Sequence, residues 1–302
     1  MSSVVLMSTY NGVRYLQQQL NSLLSLDTSP DIFIRDDGST DGTRDILIEY
    51  QRNNNNIKIV YGDNVGVVGG FLNLIKLVEK KYDYYAFCDQ DDFWEKEKIL
   101  KAINKLEKIN GSALYCSRLN VVDEHLKHLF YSNIPKRGLT LANALVENVA
   151  TGCTLVVNKH GMDIIISHMP RPDKVVMHDW WVYLTISATG QVIFDETSYI
   201  KYRQHGENVE GMSNGIFKII KKFIGRPERS KYTPLIEQLI EFKRLYGEML
   251  SSKDIIILNE LISSIVERNK YNVVKMILSK KIFRQTTSEN LSLIYSIISG
   301  KI

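Results

Sequence analysis

The stretch Asp89-Gln90-Asp91-Asp92-Phe93-Trp94 follows directly on the apolar run Tyr84-Tyr85-Ala86-Phe87-Cys88. Its earlier counterpart, Asp36-Asp37-Gly38-Ser39-Thr40-Asp41, follows Asp31-Ile32-Phe33-Ile34-Arg35. Carboxylates at the carboxyl ends of parallel strands line the crevice where open α/β sheets bind ligands. In an extended chain successive side chains alternate, which predicts Asp89 and Asp91 on one side and Gln90 on the other. Two hard oxygen ligands with open positions left over suit Mg²⁺ or Mn²⁺ held against a diphosphate. The pattern points to an enzyme that handles a nucleotide.

Outward from these clusters the chain repeats a strand–helix rhythm. Val4–Ser8, Asp31–Arg35, Ile57–Tyr61 and Tyr84–Cys88 read as strands. Helical spacing over Val13–Leu26, from Ser39 to about Arg52, over Val68–Lys80 and over Glu95–Ile109 separates and follows them. Strands alternating with helices of this length give βαβ units and a mainly parallel sheet. The middle third predicts strands over Ala113–Cys116, Asn120–Val122, Cys153–Val157, Val192–Asp195 and Tyr199–Tyr202, with helices over Leu139–Val146, Lys159–His168 and from His178. Past Gly215 the pattern becomes all-helical, and Gly211, Ser213, Asn214 and Gly215 mark a link before it.

Composition is that of an ordinary globular protein: 302 residues, 44% hydrophobic and 24% charged, enough for a large core. Cys88, Cys116 and Cys153 are odd in number and sit in apolar runs, which predicts reduced, buried thiols rather than a disulfide framework or a zinc site. The N-terminus has no basic, apolar leader pattern, and no apolar run approaches the roughly 20 residues of a spanning helix. The expectation is a cytoplasmic protein, soluble or at most peripheral on the cytoplasmic face of a membrane. Charge is uneven: residues 216–302 hold 16 Lys or Arg against 8 Asp or Glu, the first 215 hold 22 against 26. The segment Ile216–Ile224, with Lys218, Lys221 and Lys222, suits an interfacial helix on anionic lipid, and equally a helix packed on its own domain or in a homodimer. Nucleic acid is not an expected partner.

Three motifs in order, Ser8-Thr9-Tyr10-Asn11-Gly12, Asp36-Asp37-Gly38-Ser39-Thr40-Asp41 and Asp89-Gln90-Asp91-Asp92-Phe93-Trp94 with Lys98 following, resemble the family 2 glycosyltransferases. These are inverting enzymes of the GT-A fold that use nucleotide-diphosphate sugars. His178-Asp179-Trp180-Trp181 and Tyr202-Arg203-Gln204-His205 resemble the rhamnosyltransferase-like branch. The resemblance spans about residues 3–212 and implies a mixed, mostly parallel α/β GT-A catalytic domain over 1–212. The C-terminal helical region, 213–302, lies outside it.

The resemblance also implies roles. Ser8 and Tyr10 would contact the nucleobase, with Asn11 in the same loop of the nucleotide-sugar site. Asp37 would accept the imide N–H of a pyrimidine through a charge-assisted bond. Asp89 would lie near the ribose and metal, Asp91 would ligate Mg²⁺ or Mn²⁺, and His205 would complete the shell. Arg203 would hold the diphosphate, a planar fork matching phosphate oxygens. Asp179 would be the general base on the acceptor hydroxyl, with Trp180 and Trp181 walling the acceptor pocket. The implied donor is dTDP-L-rhamnose, or a UDP-hexose, and the acceptor a surface or lipid-linked glycan. Three alternatives stay open. Asp89-Gln90-Asp91 also resembles the Asp-x-Asp start of a phosphatase, but Phe93-Trp94 stand where that family wants Thr or Ser. A sugar nucleotidyltransferase would need a Gly-rich phosphate loop, which Val4–Gly12 lacks. A catalytically inactive glycan- or nucleotide-binding subunit would keep the fold without turnover.

Overall fold

The structure, a computed structural model, describes residues 1–205 and 233–299. Its first half alternates as expected: β1 (Ser3–Thr9), α1 (Leu16–Leu24), β2 (Asp31–Asp36), α2 (Thr43–Asn53), β3 (Ile57–Tyr61), α3 (Gly66–Leu77) and β4 (Tyr84–Cys88). Then come β5 (Phe93–Trp94), α4 (Lys98–Leu106), β6 (Ala113–Ser117), β7 (Asn120–Val122), β8 (His128–Tyr131) and α5 (Leu141–Ala144). They are followed by β9 (Val156–Asn158), α6 (Lys159–Ser167), α7 (His178–Thr189), β10 (Gln191–Asp195) and β11 (Ile200–Arg203). Among the described residues, four helices follow: α8 (Pro234–Tyr246), α9 (Ser252–Val266), α10 (Lys270–Leu278) and α11 (Thr287–Ile298).

The main sheet has seven strands in the order β10-β6-β9-β4-β1-β2-β3, all parallel except β9, which runs against both β4 and β6. This is the mixed, mostly parallel sheet flanked by helices that the sequence predicts. Its central strands are apolar without alternation because both faces are covered. Along β1 the pleat sends Val4 and Leu6 into one core layer, with Phe71, Leu74 and Trp181, and Val5 and Met7 into the other, with Leu16, Leu20 and Leu23. β4, β1 and β2 are parallel neighbours, so their carboxyl ends lie together at one edge of the sheet.

A second sheet, in the order β5-β11-β7-β8, was not expected. Two-residue β5 is too short to carry a period, and all four residues of β8 are exposed, so neither shows a buried face in sequence. The predicted strand Cys153–Val157 begins instead as a tight 3₁₀ turn over Gly152–Thr154. The three cysteines are free and buried.

The C-terminal helices pack into the main core. Leu239, Phe242, Tyr246, Leu258, Leu261, Met276 and Leu293 join the same buried cluster as Val4 and Leu6. Trp181 of α7 makes the joint, its ring 6.0 Å from Phe242 and 6.1 Å from Tyr246. Polar contacts register it: Gln238 Oε1 accepts from Val176 N at 2.8 Å, and buried Glu241 accepts from Arg171 N at 3.0 Å. The expected link near 212–216 and the lysines at 218, 221 and 222 lie outside the described residues. No helix among the described residues is long and apolar enough to cross a membrane. Truncating Trp181 to Ala removes the keystone of this joint and is expected to cost about 3–5 kcal/mol. Urea denaturation should show one transition at lower midpoint, because catalytic sheet and tail share a core; an unmoved midpoint would contradict the shared-core account.

Candidate active site

The loops after β1, β2 and β4 are bolted together by polar side chains. Thr9 Oγ1 and Tyr10 N donate to Gln90 Oε1 at 2.6 and 2.9 Å, and Gln90 Nε2 donates to Tyr10 O at 3.1 Å. Gln90 therefore turns toward the β1 loop, not away from the site. β4 ends at Cys88 and the following residues form a bend, where the alternation of a strand no longer holds. Gly12 is needed here, since a Cβ would come within 2.4 Å of Gln90 Oε1. Asn11 adopts φ 47°, donates from its N to Ser39 Oγ at 2.9 Å and accepts from Thr40 N at 2.8 Å. Its side chain thus ties the first motif to the second. Half-buried Ser8 faces Gly70 of α3, where a Cβ would lie 2.5 Å from its Oγ, and Tyr10 is exposed.

Asp37 is buried at the end of β2. Its Oδ2 accepts from Val65 N at 3.0 Å and Gly66 N at 2.9 Å, at the start of α3, and its Oδ1 pairs with Arg35. Helix N-termini favour such a charge. Arg35 also donates to Asp63 O at 2.9 Å, in space that exists because residue 62 is glycine. Burial, more than anything, holds the Arg35 guanidinium below its usual range. Arg35 was not singled out in the sequence; the signal was a charge directly after the apolar run Ile32-Phe33-Ile34, within the strand. Neighbouring Asp36 serves the loop, accepting from Ser39 N at 3.2 Å and Arg44 Nε at 2.7 Å.

The Asp89–Asp92 bend divides its carboxylates differently from the strand expectation. Asp91 Oδ2 meets His205 Nε2 at 2.8 Å, and the His205 ring rests against Tyr15. Asp89 instead gathers with Asp92 and Cys153, their ligand atoms all within 4.8 Å of one another. Burial, and then the charges of Asp91 and Asp89, hold the Asp92 carboxyl well above the usual carboxylate range, and burial pushes the Cys153 thiol up. Lys98, packed over the Trp94 ring at 3.6 Å, is pushed down to about 8 by burial. A protonated thiol is a poor ligand, whereas Asp91 and His205 pair a carboxylate with an imidazole, donor types that suit Mn²⁺ or Mg²⁺, and Asp89 lies in the neighbouring group with Asp92 and Cys153.

Arg203, expected on the diphosphate, makes its described bonds within the protein. The residue is fully buried, donating from Nε to Asp91 O at 2.8 Å and from its backbone N to Asp92 Oδ1 at 3.1 Å. Its other nitrogens reach Glu124 O and Gln18, and its plane lies over the Tyr15 ring at 4.5 Å. The fork is spent bracing the acidic bend against β11 and α1.

Asp179 occupies the first turn of α7, its Oδ2 accepting from Gly152 N at 2.9 Å and its Oδ1 from Trp180 N at 2.6 Å. Gly152 was missed in the sequence: a Cβ there would stand 3.0 Å from His178 Nε2 and 3.5 Å from Asp179 Cβ. His178 stacks on Phe71 at 3.8 Å, and burial drives it down to about 3, so it is neutral. Half-buried Trp180 donates from Nε1 to Ala144 O at 2.7 Å. Trp181, the other residue expected on the acceptor wall, has no exposed surface and lies in the core.

Residues 4–156 match the family model described as glycosyl transferase family 2. The chain belongs to that family. It is 33% identical to the dTDP-rhamnosyl transferase RfbG of Shigella flexneri over 238 residues, 72% of this chain and 78% of that protein. Among solved structures it is similar to S. aureus TarS 1-349 in complex with UDP-GlcNAc, at TM-score 0.58 and 17% identity, covering 99% of this chain and 92% of that one. It is also similar to the mannosyltransferase PcManGT of Pyrobaculum calidifontis in complex with GDP-Man and Mn²⁺, at TM-score 0.53 and 12% identity, over 97% of this chain and 75% of that one. These two likenesses concern the fold. As a family 2 glycosyltransferase the chain transfers sugar, and its strand-end loops form a rigid frame with Asp37, the Asp91–His205 pair and Asp179 each held by defined partners.

Proposed function

We propose that this glycosyltransferase moves L-rhamnose from dTDP-L-rhamnose, with inversion, onto a hydroxyl of a surface polysaccharide or lipid-linked glycan on the cytoplasmic side. The observation that carries the reading is the 33% identity to a dTDP-rhamnosyl transferase over 72% of this chain. In this reading Asp37, anchored by Arg35 and the start of α3, accepts the thymine imide N–H. Ser8, Tyr10 and Asn11 shape the base side of the crevice, and Asp89 lies toward the ribose. Asp91 and His205, with Asp89 from the same bend, would hold Mg²⁺ or Mn²⁺, which when bound would supply charge neutralisation to the leaving diphosphate.

Asp179 takes the proton from the acceptor hydroxyl. The acceptor oxygen forms its bond to the anomeric carbon as the bond from that carbon to the diphosphate oxygen breaks, and dTDP leaves with the electron pair. Attack from the face opposite the diphosphate inverts the centre. Backbone N–H bonds from Gly152 and Trp180 aim the carboxylate.

The test is nucleoside diphosphate release from a donor panel, with Mn²⁺ or Mg²⁺ and then with chelator. Metal-dependent turnover of dTDP-rhamnose is expected. Preference for a UDP-sugar, the donor class bound by the TarS neighbour, would retain the mechanism and replace the donor. No turnover or binding of any nucleotide sugar would favour the inactive-subunit alternative.

A further inference from the structure

The outer surface of the last two helices is apolar and basic, and nothing in the described chain covers it. On α10, Tyr271 is 79% and Leu278 72% exposed, and on α11, Leu291 is 62% and Ile298 56% exposed. Tyr271, Lys275 and Leu278 fall at i, i+4 and i+7, one row of α10, with Arg268 in the turn before the helix. Leu291 and Ile298 form the matching row on α11, with Tyr295, 60% exposed, between them. The helices are antiparallel neighbours: Lys270 at the start of α10 donates to Ile298 O at the end of α11 at 2.7 Å. Their opposite faces are fixed inside, since Val273, Met276, Ile277, Leu293 and Ile297 belong to the main core. The pair therefore cannot roll to hide its outer rows.

Charge selects the occupant. Residues 268–284 contain six Lys or Arg and no Asp or Glu. Lys270 bonds to Ile298 O, Lys281 pairs with Glu260, and Arg284 is turned inward to Val146 O. Arg268, Lys275 and Lys280 are exposed beside the apolar rows. A second copy docked by a two-fold axis would bring this basic row against itself, which disfavours it. Tyrosine rings, aliphatic side chains and flanking cations on one amphipathic surface match the interface of an anionic bilayer.

We infer that the α10–α11 face docks this enzyme on anionic phospholipid, with Tyr271, Leu278, Leu291 and Ile298 entering the headgroup–acyl boundary and Arg268, Lys275 and Lys280 meeting the phosphates. The inference does not depend on the donor or acceptor proposed above.

Full-length protein would be sedimented with phosphatidylcholine vesicles, with and without about one third phosphatidylglycerol. Binding to the anionic vesicles only, weakened by salt, is expected. Tyr271→Ser with Leu278→Ser, Leu291→Ser with Ile298→Ser, and Lys275→Glu with Lys280→Glu should each lower partitioning about tenfold or more. Donor hydrolysis in vesicle-free solution should be unchanged, which separates docking from catalysis and misfolding. Three outcomes would overturn the assignment: no anionic binding, binding that survives all three pairs and is lost only on changing the lysines at 218, 221 and 222, or a concentration-dependent dimer that these pairs dissociate.

Discussion

Asp179→Asn is expected to lower kcat by about 10²–10⁴-fold while leaving the donor KM within about twofold. The two side chains are nearly isosteric. An amide oxygen can still accept from one of Gly152 N and Trp180 N while its NH₂ faces the other, so the first turn of α7 keeps one of these two bonds. What the amide cannot do is take a proton. The loss therefore falls on the chemical step, and the KM-against-kcat split distinguishes a base from a merely structural cap. Asp179→Ala is the contrasting variant, because it also leaves two backbone donors without their carboxylate and should cost stability as well as rate. Steady-state release of nucleoside diphosphate with a glycan acceptor reads both. A kcat within about tenfold of the parent would move the base elsewhere on the site. The neutral, apolar setting of adjacent His178 makes it a poor substitute, since burial keeps that ring from holding a proton.

The elements with a clean period were legible in the sequence. β1 to β4 and the helices between them carry continuous apolar runs or one-sided stripes, and each appears within a few residues of its expected place. So do the strand-end positions of Asp37 and Asp91, because parallel topology fixes where a strand delivers its loop. What was not legible depends on contacts between distant segments. Gln90 reads as an outward residue only while the chain is taken as extended; its bonds to Thr9 and Tyr10 need the β1 loop in place. Arg203 looks like a phosphate ligand by type, yet its partners at Asp91, Asp92 and Glu124 come from segments about 80 to 110 residues away. Trp180 and Trp181 are adjacent letters with different fates, since successive helical positions point about 100° apart. Only the docking of α8 determines that Trp181 is the buried one. Tail integration has the same origin: helical spacing reveals an apolar face but not the surface it meets.

Asp91→Ala and His205→Ala are expected to fail in different ways, and the difference tests the metal assignment. Removing Asp91 deletes a negatively charged ligand and also leaves the His205 Nε2 without the oxygen it meets at 2.8 Å. If that ligand supports several kcal/mol of charge stabilisation on the leaving diphosphate, turnover drops about 10³-fold. Raising Mn²⁺ should not restore it, because the missing group is the anchor itself. His205→Ala retains both Asp89 and Asp91, so metal binding should weaken about 10–100-fold, and turnover should recover as Mn²⁺ is raised. Titrating Mn²⁺ against donor hydrolysis for the parent and the two variants gives the comparison directly. Identical, unrescued losses in both would mean that His205 acts through the shape of the Asp91 loop rather than as a ligand. Arg203→Lys separates these cases further, for it leaves every carboxylate and His205 in place but removes the bonds to Glu124 O and Gln18 that hold the bend. Its expected signature is a lower thermal midpoint with little change in the Mn²⁺ dependence, the reverse of the His205→Ala pattern.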